Sequence, residues 1–155
     1  MINSQTVIHW LIQIAAPFCG TVSFALIFGV PRKYYILCGI TGTVGWLIYA
    51  LTSQGGVPAT EATFLASAAV VFLSRIFAVN VKCPVTVFLI SGIIPLVPGS
   101  SVYWAAYYLV TNETGKAMES GFAAIRLAVA IVLGIVIILE LPNRWFHLRG
   151  RSKSS

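Results

Sequence analysis

Ile94-Pro95-Leu96-Val97-Pro98-Gly99-Ser100-Ser101 interrupts an apolar run near its middle, and the reading of this stretch decides the fold. In water such a sequence is an ordinary turn. In a bilayer it is a constraint, because lipid cannot satisfy freed backbone groups and an unwound segment has to face protein or a water-filled cavity. Which of the two applies depends on whether the remainder of the chain belongs in a membrane.

Composition answers that question. The 155 residues are 58% hydrophobic and 9% charged, with mean hydropathy +0.90, whereas ordinary globular domains carry roughly 25% charged residues. Uncharged runs at 4–29, 34–54 and 127–139 approach or reach the roughly 20 apolar residues that a spanning helix needs. A single water-soluble core built from this chain would have almost no polar surface to cover it.

The fold expected is therefore an all-α polytopic membrane helix bundle of about five spans. The first runs over 7–29, kinked at Pro17 and closed by Pro31-Arg32-Lys33. The second, 34–52, repeats Gly39, Gly42 and Gly45 at helical spacing beside Thr41 and Thr43, a seam of small residues that lets a neighbouring helix approach closely. A substrate path along Gly42 and Gly45 is the alternative use of that face. The third, 59–79, carries the small-residue stripe Ala59, Ala62, Ala66 and Ala69, then Arg75 one turn inside its boundary, where a long side chain snorkels to the interface or serves a polar path.

The fourth span, 84–110, begins at Cys83-Pro84 and is broken at 95–99; neither half is long enough to cross alone. A polar loop holding Lys116 and Glu119 leads to the last span, 122–141, with Arg126 a turn inside its start and Glu140 at its end. A basic tail, 144–155, follows. Five crossings put Arg32-Lys33, Arg75, Lys82 and the tail on one side, which the positive-inside rule makes the cytoplasm, with the N-terminus outside. A four-span arrangement separates Arg32-Lys33 from the tail.

The net charge of +6 does not point to nucleic acid, since four of the ten basic residues lie in that tail, where they anchor against anionic membrane lipids. Cys19, Cys38 and Cys83 are odd in number and lack ligand spacing, so neither a disulfide framework nor a metal is expected, and no cofactor. No basic residue precedes the first apolar run, which is therefore expected to stay as a span. An enzyme is disfavoured as well. Aspartate is absent, and His9 and His147 fall at opposite membrane faces, so no Ser-His-acid or metal-ligand grouping assembles.

The chemistry of this chain is then expected at the break. Pro95 and Pro98 cannot donate to the carbonyls of Ser91 and Ile94, which frees two acceptors. Beyond Gly99 a half-helix starting near Ser101 presents free N–H groups and a positive dipole end, attractive to a carboxylate. Ser100 and Ser101 are placed to cap it or to meet a ligand, with Tyr103 and Tyr107 a turn further on. The candidate pathway residues are Pro95, Pro98, Gly99, Ser100, Ser101 and Tyr103, with Ser91, Arg75, Gly42 and Gly45 secondary. A plain kink that only packs a crowded bundle is the alternative.

Phe28-Gly29-Val30-Pro31-Arg32, the glycine helix with Gly42 and Gly45, and Ile94-Pro95-Leu96-Val97-Pro98-Gly99 ahead of an aromatic half-helix together resemble the threonine/serine exporter family. More closely, they resemble the small subunit of its split form, the YjjB type. The resemblance implies a bacterial inner-membrane exporter component. It would work with a larger membrane subunit of the same family, as a hetero- or homo-oligomer, on small carboxylate-bearing metabolites such as threonine, serine or dicarboxylates. A structural subunit that only stabilises the larger partner is the competing expectation. Glu140, with Arg144 four residues on, reads as an ion pair at the membrane edge, which leaves any coupling acid to the partner.

Overall fold

A computed structural model describes residues 4–141; the expected basic tail lies outside the described residues. The described residues form six α-helices and no strand: α1 (Ser4–Ile27), α2 (Tyr35–Gln54), α3 (Ala59–Val81), α4 (Thr86–Ile93), α5 (Gly99–Val110) and α6 (Thr114–Glu140), with 3₁₀ turns at Arg32–Tyr34 and Ile94–Leu96. Helices α1, α2, α3 and α6 are long and apolar enough to cross a membrane. Thr86–Leu96 and Gly99–Val110, bent by 51°, make a fifth when the pair is counted as one span. The protein is a multi-pass helical membrane bundle.

Lipid leaves no water to satisfy the last carbonyls of a helix, and four of these helices end with the same main-chain solution. Gly29 (φ +70°), Gly56 (+83°), Lys82 (+56°) and Asn112 (+60°) are left-handed, and the N–H of the following residue reaches back five positions. Val30 bonds Ala25, Val57 bonds Thr52, Cys83 bonds Ala78 and Glu113 bonds Tyr108, at 2.9–3.3 Å. Helix α6 lacks this cap, because Leu141 is extended (φ −61°, ψ 130°).

Small residues set the helix separations, as the sequence anticipates for α2. A Cβ on Gly42 would overlap Thr21 of α1, one on Gly45 would overlap Val70 of α3, and one on Gly92 would come within 2.8 Å of Thr41. Hydroxyls take little part in joining helices. Thr41, Thr43, Thr63 and Ser74 each donate to the carbonyl four residues back in their own helix, and Ser67 donates three back, to Phe64. Thr21 Oγ1 is buried without a partner.

Two apolar clusters fill the bundle. Ala25, Tyr34, Cys38, Ala78 and Phe88 gather where α1 and α3 end and α2 and α4 begin. Ala66, Val70, Leu96 and Ile131 form the second, so Leu96 of the interruption is a core residue plugged between α3 and α6. Helix α4 packs on α2 and α3, whereas α5 packs on α6 and contributes no buried residue.

The N-terminal stretch of α6 differs from expectation. Thr114–Gly121 is not a loop but the first two turns of one 27-residue helix. Lys116 bridges back to Glu113 just ahead of it. Polar exposed residues conceal the helix from an apolar-run reading.

Candidate functional site

The interruption is more tightly wound than two missing donors imply. Ile94–Leu96 closes as a 3₁₀ turn, and the Val97 N–H bonds the Ile94 carbonyl at 3.1 Å. The carbonyl expected to be free is therefore taken. Pro98 (φ −76°, ψ 53°) then makes an inverse γ-turn, in which the Gly99 N–H bonds the Val97 carbonyl at 2.7 Å. Helix α5 starts at Gly99, two residues earlier than expected, with Pro98 at its N-cap and no side-chain cap. The expectation that Ser100 or Ser101 caps it is not met. The first helical bond, Val102 N–H to Pro98 O, leaves the N–H groups of Ser100 and Ser101 without a main-chain acceptor.

Three cavities run past this turn and share lining residues. One of about 290 Å³ lies against Gln13, Pro17, Trp46 and Pro95. The next, about 140 Å³, is lined by Trp46, Tyr49, Thr63, Pro95, Pro98 and Ser100, among others. A third, about 360 Å³, opens between α5 and α6 around Ser100, Ser101, Trp104, Tyr108, Glu119 and Ser120. Trp46 and Pro95 join the first to the second, and Ser100 joins the second to the third. The Trp46 indole N–H donates to the Gln13 side-chain oxygen across α1 and α2 beside this line.

The structure thus brings Pro95, Pro98, Ser100 and Ser101 together at the cavities, with Gly99 within the turn, and separates the others. Tyr103 is 62% exposed and stacks on Tyr107, while Trp104 and Tyr108, on the other side of α5, face the cavity. Gly42 serves the α1–α2 contact. Gly45 lies behind the turn, where its added Cβ would fall 3.7 Å from Leu96. Ser91 is buried and donates to the Val87 carbonyl at 3.1 Å, back along α4.

Arg75 does not snorkel. It is 6% exposed, and its Nη1 donates to the Ile138 carbonyl and, at 3.2 Å, to that of Leu139. These are last-turn carbonyls of the one long helix with no left-handed cap, so a side chain from α3 does for α6 what main-chain turns do elsewhere. Arg75→Gln is expected to lower the midpoint of thermal unfolding in detergent, with a loss of roughly 1.5–3 kcal/mol for hydrogen bonds from a charged group. Arg75→Lys should recover part of the loss, because an ammonium lacks the planar fork. An unchanged midpoint in both variants would dismiss this cap.

Sequence reasoning missed Glu119, Trp104, Tyr108 and Trp46. Glu119 has no ion-pair partner among the described residues and shares its cavity with the Ser100–Ser101 turn. Its signal was available: an acid seven residues before Arg126, one turn into what proves to be helix. Among the described residues no group of histidine, cysteine or acidic side chains has the arrangement to hold a metal.

A threonine/serine exporter domain model matches residues 13–140, which include the whole interrupted segment. The chain belongs to the threonine/serine exporter family. This family is one of transporters, not enzymes. A probable threonine/serine exporter of Mycobacterium tuberculosis (strain ATCC 25618 / H37Rv) is 25% identical over 109 residues, 67% of this chain. That match covers 21% of the relative, so this exporter-family chain spans about a fifth of the length of the protein it resembles. No solved structure matches the chain.

Proposed function

We propose that the chain is the membrane subunit of a two-component exporter in the bacterial inner membrane, acting with a larger membrane subunit of the same family. Its cargo is a small carboxylate-bearing metabolite: threonine, serine or a dicarboxylate such as succinate. The observation that carries this reading is the exporter-family match across residues 13–140, whose span contains the whole interrupted segment. Thr86–Leu96 and α5 act together as one discontinuous crossing, with the C-terminus in the cytoplasm and the N-terminus outside. Pro95, Pro98, Gly99, Ser100 and Ser101 form the pathway, and the N–H groups of Ser100 and Ser101 receive the carboxylate. Glu119 supplies an acid at the mouth of the same path, so this chain need not borrow one from its partner.

The test is efflux of labelled threonine, serine and succinate from cells lacking both subunits and given back the partner with either the native chain or Ser100→Pro. Proline at this first-turn position removes one unpartnered N–H and spares every helical hydrogen bond, and Gly99 before it has no Cβ to clash. Losing a hydrogen bond to a charged group, at roughly 1.5–3 kcal/mol, lowers efflux about tenfold or more, with partner abundance unchanged. Efflux that falls only in proportion to partner abundance would make the chain a structural subunit instead.

A further inference from the structure

Helices α3 and α6 run parallel, since Arg75 meets Ile138 and Leu139 at one end while Glu61 and Arg126 share a groove toward the other. This groove, about 550 Å³, is lined by α3 and α6 alone and is walled by half-exposed Leu65, Val129 and Leu133. Its size falls within the roughly 300–1,000 Å³ of ligand clefts. The side chains differ from those of an ordinary lipid-facing surface in one respect, the two opposite charges at one end.

Arg126 is exposed and stands twelve positions before Ile138 on α6, an axial distance of about 18 Å. Hydrocarbon is about 30 Å thick, so levels only 18 Å apart cannot put both Arg75 and Arg126 at opposite membrane surfaces. Arg75 solves its problem inside the protein with α6 carbonyls. Arg126 has no acid three or four residues away on α6, where Phe122, Ala123, Val129 and Ala130 stand. Among the described residues no ion pair joins it to Glu61. A charge at this depth on the lipid side is costly unless an anion comes to it, and a guanidinium binds phosphate through two parallel hydrogen bonds.

We propose that the α3–α6 groove holds one zwitterionic glycerophospholipid, its phosphate on Arg126, its ammonium on Glu61 and an acyl chain along Leu65, Val129 and Leu133. Charge complementarity selects this occupant: a lone cation would attract any anionic headgroup, whereas the added carboxylate favours one that also carries a primary ammonium. The groove shares no lining residue with the transport cavities and does not depend on them.

The full chain, purified in mild detergent from membranes containing phosphatidylethanolamine and phosphatidylglycerol with matched acyl chains, is analysed by native mass spectrometry. The native protein retains one phosphatidylethanolamine in preference to phosphatidylglycerol, by about tenfold, the equivalent of 1.4 kcal/mol. Arg126→Gln retains neither, and Glu61→Gln keeps a lipid but loses the preference. Both positions are exposed, and equal yields of folded protein are verified by thermal unfolding. Retention by Arg126→Gln equal to that of the native chain overturns the proposal. So does disulfide formation between Leu65→Cys in one copy and Val129→Cys in another, which would mean that a second copy fills the groove.

Discussion

A chain carrying Pro95→Ala and Pro98→Ala together is expected to reach the membrane in normal amount and to lose at least about nine-tenths of its export. Proline in a helix interior costs roughly 3 kcal/mol relative to alanine, so the two substitutions remove the main obstacle to continuous winding from α4 into α5. The restored donors at 95 and 98 reach back to Ser91 and Ile94, the inverse γ-turn at Pro98 disappears, and the N–H groups of Ser100 and Ser101 turn inward to Leu96 and Val97. The donors that the proposed pathway offers to a carboxylate are then spent within the helix. The variant also draws Ser100 away from the junction of its two cavities. Efflux of labelled threonine, serine and succinate, read beside the membrane level of this chain and its proposed partner, measures the effect. Native efflux from a normally abundant double variant would remove the interrupted segment from the pathway.

Gly134→Val should produce the largest loss of stability. A Cβ at this position would meet the Ser67 side chain and stand 2.9 Å from the Phe64 carbonyl oxygen and 3.1 Å from the Ala68 nitrogen. Ser67 can rotate, but the other two atoms are main chain of α3 and yield only if the helices separate. Overpacking of this kind costs about 1–3 kcal/mol and at times more. Here separation also pulls Ile138 and Leu139 from Arg75, one turn further along. Gly121→Ala, on the same helix with open space around its added Cβ, is the control and should gain slightly from helix propensity. Thermal unfolding in detergent distinguishes them: a fall of several degrees for Gly134→Val beside a flat or raised midpoint for Gly121→Ala. Equal midpoints would mean that α3 and α6 are not in contact through Gly134.

Membrane class, the helical bundle and the existence of an interrupted segment were legible in composition and in the Pro95–Pro98–Gly99 spacing, because these depend on local chemistry. The glycine seam of α2 was legible for the same reason. Arg75 was not, since its partners lie 63 and 64 residues away and depend on the register between α3 and α6. Which aromatic of α5 lines the cavity was not legible either: α5 is aromatic on several sides, and only its packing against α6 brings Trp104 and Tyr108 to the cavity while Tyr103 stays exposed. Glu119 was lost with the start of α6, where Gly115, Lys116, Glu119 and Ser120 give no apolar period. The fate of the Ile94 carbonyl turned on a 3₁₀ closure that proline placement alone does not specify.

The inward bonding of the hydroxyls has a bearing on biogenesis. Thr41, Thr43, Thr63, Ser67 and Ser74 are satisfied inside their own helices, so these hydroxyls of α2 and α3 can enter lipid without waiting for a neighbour to shield them. Cohesion comes afterwards, from close approach at small residues. Arg75 differs from these hydroxyls: the carbonyls it bonds lie on α6, so α3 has to be held at the translocon, or kept near headgroups, until α6 emerges.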